Sequence, residues 1–184
     1  MSTTPNPTTD IAVVLRSGDA AGHWALDTQS SRAEIAVKHF WGAVTVRVHF
    51  EQISGEGILT AGGDLSGTLT FEVASLTTQN KQRDKHLKSA EFFDAENHPR
   101  ATLTVTRATP EGVDGLTCRG TLEAAGHIEP VEFTARVQDL TEQAVTLIAE
   151  IVVDRTKFNM TWSPLRMAAF KATGTVTARF IRTT

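Results

Sequence analysis

The sequence predicts an all-β protein, an extended antiparallel barrel of about eight strands with a short helix at about residues 79–90. From Trp24 onward, apolar and polar residues alternate with a period of two, which is typical of strands that bury one face. The connections between these runs are short and contain Gly, Pro and Asp, which favours antiparallel neighbours. Several of the expected inward faces carry small residues, and such faces leave space inside a closed barrel.

Individual strands are predicted from segments in which one face is apolar. In residues 32–40, Ile35 and Val37 share one face, whereas Glu34 and Lys38 occupy the other. With an opening strand at residues 24–28 and a short one near 53–59, the count reaches roughly eight to ten. The other segments with this pattern are residues 43–51, 67–75, 101–107, 116–125, 129–138, 144–154 and 171–182.

Glycines inside two of these strands have two interpretations. Gly120 and Gly174 lie on the expected inward faces, where small residues would leave room for one elongated apolar ligand. Glycine within a strand equally marks a bend or a bulge. The sequence leaves both interpretations open.

The domain organisation follows from length and composition. With 184 residues, 40% of them apolar, the chain suffices for one compact core, and we expect a single domain at residues 22–184. Residues 1–21 are rich in Thr, Pro and Asp, which predicts a flexible tail. Because they lack a basic leader, and no run approaches the ~18 apolar residues of a spanning helix, we expect a cytoplasmic protein.

Charge and motif content argue against several functions. A net charge of −3 gives no field that would recruit nucleic acid, and we expect neither nucleic-acid binding nor stable membrane insertion. The single cysteine, Cys118, excludes an intrachain disulfide, and the six histidines show no zinc-ligand spacing, so we expect no metal and no cofactor. Cys118 lies mid-strand as a small buried hydrophobe, and no G-x-S-x-G motif occurs, so we expect no enzymatic activity.

The segment NKQRDKHLKSAEFFDAENHP, residues 80–99, departs from the strand pattern. Its first half contains good helix formers and neither Gly nor Pro, and Thr77 or Thr78 is the expected N-cap. At least one of Phe92 and Phe93 should pack beneath this helix or plug a barrel end. The basic side chains of the helix are Lys81, Arg83, Lys85, His86 and Lys88.

Two interpretations of this basic helix stay open. An amphiphile would place its anionic head on these cations and its tail in the barrel, where each buried methylene contributes roughly 0.8 kcal/mol. Alternatively, the cations form a solvated helix face, and an Arg83–Asp84 pair fixes the helix against the strands.

Residues 77–99 closely resemble the signature of the YceI family of polyisoprenoid-binding, lipocalin-like proteins, which is T-x-N-x-x-R-D-x-H-L-(K/R)-S-x-(D/E)-F-F-D followed by Pro. Residues 24–50, 119–137 and 153–162 are similar to further family segments, so the resemblance spans about residues 23–182. The signature positions matched are Thr78, Asn80, Arg83, Asp84, His86, Leu87, Lys88, Ser89, Glu91, Phe92, Phe93, Asp94 and Pro99.

This resemblance implies an extended antiparallel barrel with an elongated apolar cavity that binds isoprenoid or other lipid-like chains, and often a homodimer. Three departures from the family pattern affect loop shape and ligand identity. Asn159 stands where the family usually has Gly, residues 47–49 replace a Gly-x-Phe approach, and residues 125–127 alter a Gly-hydrophobic-Thr stretch.

We therefore predict a non-catalytic protein that carries or sequesters a long apolar molecule of the polyisoprenoid, polyprenyl phosphate or quinone type. Arg83, Lys85 and His86 are the candidate head-group contacts, with Asp84 as a helix anchor beside them. The candidate cavity residues are Val37, Val46, Leu69, Phe71, Leu87, Phe92, Phe93, Phe133, Phe158, Met160 and Phe170.

Two alternatives belong to other functional classes. An enzyme acting on a hydrophobic substrate would need a titratable inward group, such as His39, His86 or Asp84. A structural or stress-response protein would have a filled core, and truncation of Phe92 or Phe93 would then only destabilise it.

Overall fold

The computed structural model describes residues 10–163 and 167–183, and it consists mainly of antiparallel strands. Two short α-helices, α1 (Ile11–Ser17) and α2 (Lys81–Leu87), accompany the strands. The strands are β1 (Gly22–Leu26), β2 (Arg32–His39), β3 (Val44–Phe50), β4 (Ile53–Leu59), β5 (Leu65–Glu72), β6 (Leu76–Thr77), β7 (Arg100–Glu111), β8 (Gly115–Ala124), β9 (His127–Leu140), β10 (Ala144–Asp154) and β11 (Ala168–Thr183). Short 3-10 helices occupy Phe40–Gly42, Val73–Ser75 and Arg155–Phe158.

The sheet closes on itself through the long strand β11. One edge of β11 pairs with β10, and the other edge pairs first with β2 and then with β1. Since β1 also pairs with β4, the strands β1, β4, β5, β7, β8, β9, β10 and β11 form a closed ring of eight. The predicted antiparallel barrel with a short helix between strands is therefore confirmed.

Three walls of the barrel are each made of two strands in line. β1 and β2 lie end to end along β11. β3 and β4 likewise form two halves of one longer strand, and so do β5 and β6. At the first break, the Ser31 hydroxyl donates to the Asp27 carbonyl (2.7 Å) and accepts from the Arg179 amide (3.0 Å). This side chain, which is 2% exposed, replaces a ladder hydrogen bond where the strand bends.

Helix α1 lies within the segment predicted to be a flexible tail, and for residues 11–17 that prediction is wrong. The Asp10 carboxylate accepts from the Ala12 amide as an N-cap, and Gly18 ends the helix with φ 75°. Ile11 and Leu15 bury their side chains against the barrel, which stabilises a helix too short to persist alone. Residues 1–9 lie outside the part of the chain that the structure describes.

Helix α2 is shorter than predicted and has a different cap. The Asn80 side chain accepts from the Arg83 amide (3.0 Å), so Asn80, rather than Thr77 or Thr78, is the N-cap. After Leu87 the chain turns back, and the Phe93 amide donates to the Leu87 carbonyl (3.0 Å). The turn directs Phe93 inward, where it is 7% exposed.

The two strand glycines have different structural roles. A Cβ at Gly120 would lie 1.8 Å from the Thr104 carbonyl oxygen, beside the register shift between Val105 and Arg107, so this glycine permits a close approach of two strands. A Cβ at Gly174 would meet only the Ile151 carbonyl oxygen at 3.7 Å, an ordinary contact. Gly174 therefore leaves open space inside the barrel.

We predict that Gly120→Ala lowers the free energy of unfolding by roughly 1–3 kcal/mol, because the new methyl group must displace backbone. Gly174→Ala is the matched control and should change it far less. Urea unfolding followed by circular dichroism measures both values. Equal losses for the two variants would contradict this assignment.

Candidate functional site

The barrel encloses two apolar cavities, one towards each helix. The α1 cavity has a volume of about 150 Å³ and the α2 cavity about 140 Å³. Leu103 and Val176 line both cavities and so mark the waist between them. The α1 cavity is lined by Ile11, Val14, Leu15, Gly57, Cys118 and Ala135, among others. The α2 cavity is lined by Ala33, Phe50, Ala101, Arg155, Ala172 and Gly174, among others.

Nine of the eleven residues proposed from the sequence to face the cavity do line one. Leu69 and Phe133 line the α1 cavity. The other seven line the α2 cavity: Val37, Phe71, Leu87, Phe92, Phe93, Phe158 and Met160. Most of the proposed residues thus lie at the α2 end.

The remaining two, Val46 and Phe170, line neither cavity. Val46 pairs with Val37, but β6 reaches only His49 and Phe50 of β3, so the sheet at Val46 extends past the closed ring. Phe170 is 55% exposed, because the pairing of β11 with β2 is irregular between Ala168 and Ala172 and interrupts the alternation there.

Asp84 anchors α2 to the barrel. Its carboxylate accepts hydrogen bonds from the Thr78 amide (2.7 Å), the Thr78 hydroxyl (2.6 Å) and the Thr77 hydroxyl (3.2 Å). Burial alone would raise the pKa of Asp84, but the hydrogen bonds from Thr78 and Thr77 hold it below its ordinary value. These partners, rather than Arg83, hold the Asp84 carboxylate.

Lys88, which follows α2, and His86 within it also make structural contacts. The Lys88 ammonium donates to the Ala74 carbonyl (2.7 Å). The His86 Nε2 lies 2.5 Å from the Glu91 carboxylate, and the ring stacks edge-on against Phe92 and Trp162, with centroids 5.1 and 4.6 Å apart. Lys85 is exposed. None of the predicted head-group residues Arg83, Lys85 and His86 lines either cavity.

Arg155 is a functional candidate that the sequence analysis missed. It follows β10, lines the α2 cavity and is 6% exposed. Its Nε donates to the Ala169 carbonyl (2.8 Å), and its Nη1 donates to the Met160 and Trp162 carbonyls. Burial lowers the pKa of the guanidinium from its ordinary value, without discharging a group as basic as arginine. The sequence signal that could have identified Arg155 is its position in residues 153–162, a segment that resembles the YceI family.

His39 lies near this charge. Burial lowers the pKa of His39, and the positive charges of Arg155 and Arg83 lower it further. All three effects disfavour the protonated form of His39. Within residues 10–163 and 167–183, no three His, Cys, Asp or Glu side chains are placed to hold a metal ion.

Cys118 lines the α1 cavity in a fully apolar setting. Its thiol makes a long contact to the Leu116 carbonyl (3.8 Å), and burial raises its pKa to about 11. This is the chemistry of a buried structural cysteine rather than of a nucleophile.

A closed eight-stranded antiparallel barrel with an internal apolar cavity has the architecture of lipocalin-like proteins. The model of the YceI-like domain matches residues 24–180, and the chain belongs to this family. Among the described residues, no helix has the length and apolar character needed to cross a membrane.

Curated relatives are similar over parts of their length. A UPF0312 protein of Vibrio campbellii is 28% identical over 129 residues, which is 68% of this chain and 68% of that protein. A UPF0312 protein of Pectobacterium atrosepticum is 38% identical over 69 residues, 38% of this chain and 35% of that protein. The protein YceI of Salmonella arizonae is 39% identical over 69 residues, 38% of this chain and 36% of that protein.

Two solved structures share the fold. BcnA of Burkholderia cenocepacia superposes with a TM-score of 0.76 at 20% identity, covering 84% of this chain and 98% of BcnA. A polyisoprenoid binding domain of Saccharophagus degradans, implicated in plant cell wall breakdown, superposes with a TM-score of 0.72 at 15% identity. That match covers 87% of this chain and 98% of the domain.

Replacing Asp84 should loosen α2. We expect Asp84→Ala to lower the free energy of unfolding at pH 7 by about 2 kcal/mol, because the charge-assisted hydrogen bonds are lost. The folded pKa lies below the unfolded value, so this stabilisation is complete above about pH 4 and disappears as the pH falls through the folded pKa. Urea titrations at pH 7 and pH 3 should therefore show a difference that shrinks in acid. Lys85→Ala, at an exposed position of the same helix, is the control, and an equal loss there would contradict the anchor.

The Cys118 thiol should react slowly with thiol reagents. A pKa of about 11, against an ordinary 9.0, predicts at least about 100-fold slower reaction with Ellman's reagent at pH 8 than in guanidinium-unfolded protein. Equal rates in the two states would show that the thiol is neither buried nor protonated.

Proposed function

We propose that the protein binds a long apolar molecule inside the barrel, as a carrier or sequestering protein without catalysis. The observation that carries this proposal is the pair of apolar cavities within a closed barrel, which share the lining residues Leu103 and Val176. An apolar interior that is incompletely filled suits an extended hydrocarbon chain.

Cavity size indicates how much of a chain the barrel accommodates. An apolar cavity of ~150 Å³ stays dry and binds a molecule the size of benzene. Each of the two cavities therefore suits about one five-carbon prenyl unit, or a few methylenes, in the present conformation. A longer chain would thread from one cavity to the other past Leu103 and Val176, with displacement of the helices that border them.

Both helices are suited to such displacement. In α1, Ile11, Val14 and Leu15 border the cavity, and the Ile11 amide donates to the Val113 carbonyl (2.9 Å). In α2 and the turn after it, Leu87, Phe92 and Phe93 border the other cavity. Segments that are held by a few side chains open at lower cost than strands in a continuous ladder.

The comparisons support a lipid-like ligand. The YceI-like match covers residues 24–180, and the Saccharophagus neighbour is described as a polyisoprenoid binding domain. A polyisoprenoid, a polyprenyl phosphate or a quinone are the ligands proposed here. A cytoplasmic location and a homodimer stay predictions.

The two alternatives differ in what they require of the interior. A filled structural core is disfavoured by the two cavities. An enzyme would need an available titratable group, and Asp84 and His86 already make structural contacts. His39 is the residue on which the enzymatic alternative still depends.

Filling either cavity should block binding without unfolding the protein. Gly57 and Gly174 line the α1 and α2 cavities, and a Cβ at either would have no contact closer than 3.6 Å. We expect Gly57→Leu and Gly174→Leu each to reduce binding of a fluorescent long-chain probe at least about tenfold, with a Tm close to that of the wild type. Thr175→Leu, on the exposed face of β11, is the matched control.

Native mass spectrometry and solvent extraction of freshly purified protein complete the test. The wild type should release a long-chain apolar compound, or take one up, and the two filled variants should not. Absence of any bound or exchangeable apolar ligand in the wild type would falsify the proposed function. Unchanged binding in both filled variants would place the ligand outside the barrel.

A further inference from the structure

The Nη2 atom of Arg155 is a buried hydrogen-bond donor without an acceptor. Among buried side-chain nitrogen and oxygen atoms in the described part of the chain, only Nη2 of Arg155 lacks a partner. Buried polar groups in native proteins are almost always paired, so an unpaired one calls for an explanation. Since the residue is 6% exposed, bulk water does not supply the partner.

The adjacent Asp154 carboxylate attracts the charge of Arg155 and acts to raise its pKa, but it forms no direct ion pair with the guanidinium. Its satisfied nitrogens donate to backbone carbonyls, which are neutral. The adjacent Asp154 carboxylate is engaged by the Thr156 amide (2.9 Å) and hydroxyl (2.6 Å), and among the described residues no carboxylate forms an ion pair with Arg155. A buried charge without a partner is costly, so an anion that reached it would be held strongly.

The location of this charge is suited to a ligand. Arg155 lines the α2 cavity, whose other lining residues are apolar apart from Glu34, and the Glu34 carboxylate pairs with Arg47 (3.1 Å). The 3-10 helix Arg155–Phe158 holds its backbone, with Asp154 as N-cap and Asn159 in the left-handed conformation at φ 60°. The guanidinium is therefore a cation held at the cavity wall by three backbone acceptors. Its Nη2 is covered in the present conformation, so a ligand would have to displace the side chains over it to reach it.

Building on the proposed function, we propose that Nη2 of Arg155 binds the anionic head group, a phosphate or a carboxylate, of a ligand whose chain occupies the α2 cavity. The head lies at Arg155, and the chain runs past Val176 towards the α1 cavity. The sequence-based candidates Arg83, Lys85 and His86 would then lie outside the head-group contact. A charge-assisted hydrogen bond from Nη2 is stronger than a neutral one, which favours anionic oxygens over neutral alcohols.

The first test compares three ligands of equal chain length on the wild type. Hexadecanoic acid, hexadecyl phosphate and hexadecanol are titrated at pH 8 by displacement of a fluorescent probe. We expect one or both anions to bind at least roughly tenfold more tightly than the alcohol. The phosphate and the carboxylate are separate arms, so the result also distinguishes the two head groups. The preference should persist in 0.5 M NaCl, because a buried contact is screened far less than an exposed one.

The second test assigns the preference to a residue. In Arg155→Gln the ratio of anion to alcohol affinity should fall to near one, whereas in Arg83→Gln and Lys85→Gln it should stay as in the wild type. Alcohol binding within each variant reports an intact cavity, so the ratio does not depend on overall stability. Should Arg155→Gln fail to fold, ¹⁵N NMR of the wild type replaces it. The Arg155 Nε–Hε signal should then shift with hexadecanoic acid and not with hexadecanol.

The outcomes separate this inference from the proposed function. Equal affinity of the wild type for all three ligands overturns the role of Arg155 and leaves apolar binding intact. Loss of the anion preference in Arg83→Gln or Lys85→Gln, with Arg155→Gln unaffected, overturns it as well. Binding of none of the three ligands counts against the proposed function itself.

Discussion

The pairing of β11 with three neighbours is the constraint on which the rest of the fold depends. Because β11 bonds to β10 on one edge and to β2 and β1 on the other, the ring has no free edge and its register is determined. Register then decides which residues face inward. On β11 these include Ala172, Gly174, Val176 and Ala178, and the small ones among them leave the interior incompletely filled.

Because the barrel wall is closed, a ligand can enter the interior only at the two ends. Each end is covered by a short helix that supplies apolar side chains to a cavity, Leu15 from α1 and Leu87 from α2. Neither helix is long enough to be stable alone, so each depends on its caps and on contact with the barrel. A rigid wall with locally stabilised ends is compatible with exchange of a ligand without unfolding of the sheet.

Strands were predictable because burial of one face leaves a period of two in the sequence, whereas the missed features depend on contacts distant in the chain. Asp10 and Gly18 are ordinary helix caps, but burial of Ile11 and Leu15 requires a barrel mouth that only the folded sheet provides. The outward turn of Phe170 follows from an irregular pairing with β2, which alternation cannot reveal. Four of the cavity residues follow from the same period because they lie on strands: Val37, Leu69, Phe71 and Phe133. The other five lie in helices or turns, where this period does not apply: Leu87, Phe92, Phe93, Phe158 and Met160.

Arg155 shows why a polar site inside a barrel is harder to find than an apolar one. The segment from Asn80 to Pro99 is rich in cations. Its carboxylate Asp84 accepts hydrogen bonds from Thr77 and Thr78 and thereby positions the helix. The buried cation lies elsewhere, and the carbonyls that hold it follow it by 5, 7 and 14 residues. A segment rich in charged residues is usually exposed to solvent, so its charge content alone does not indicate a binding site. Among the described residues, Arg155 is the one charged side chain that is buried, and one of its nitrogens is unpaired. Its position at an apolar cavity is therefore the stronger indication of where an anionic head would bind.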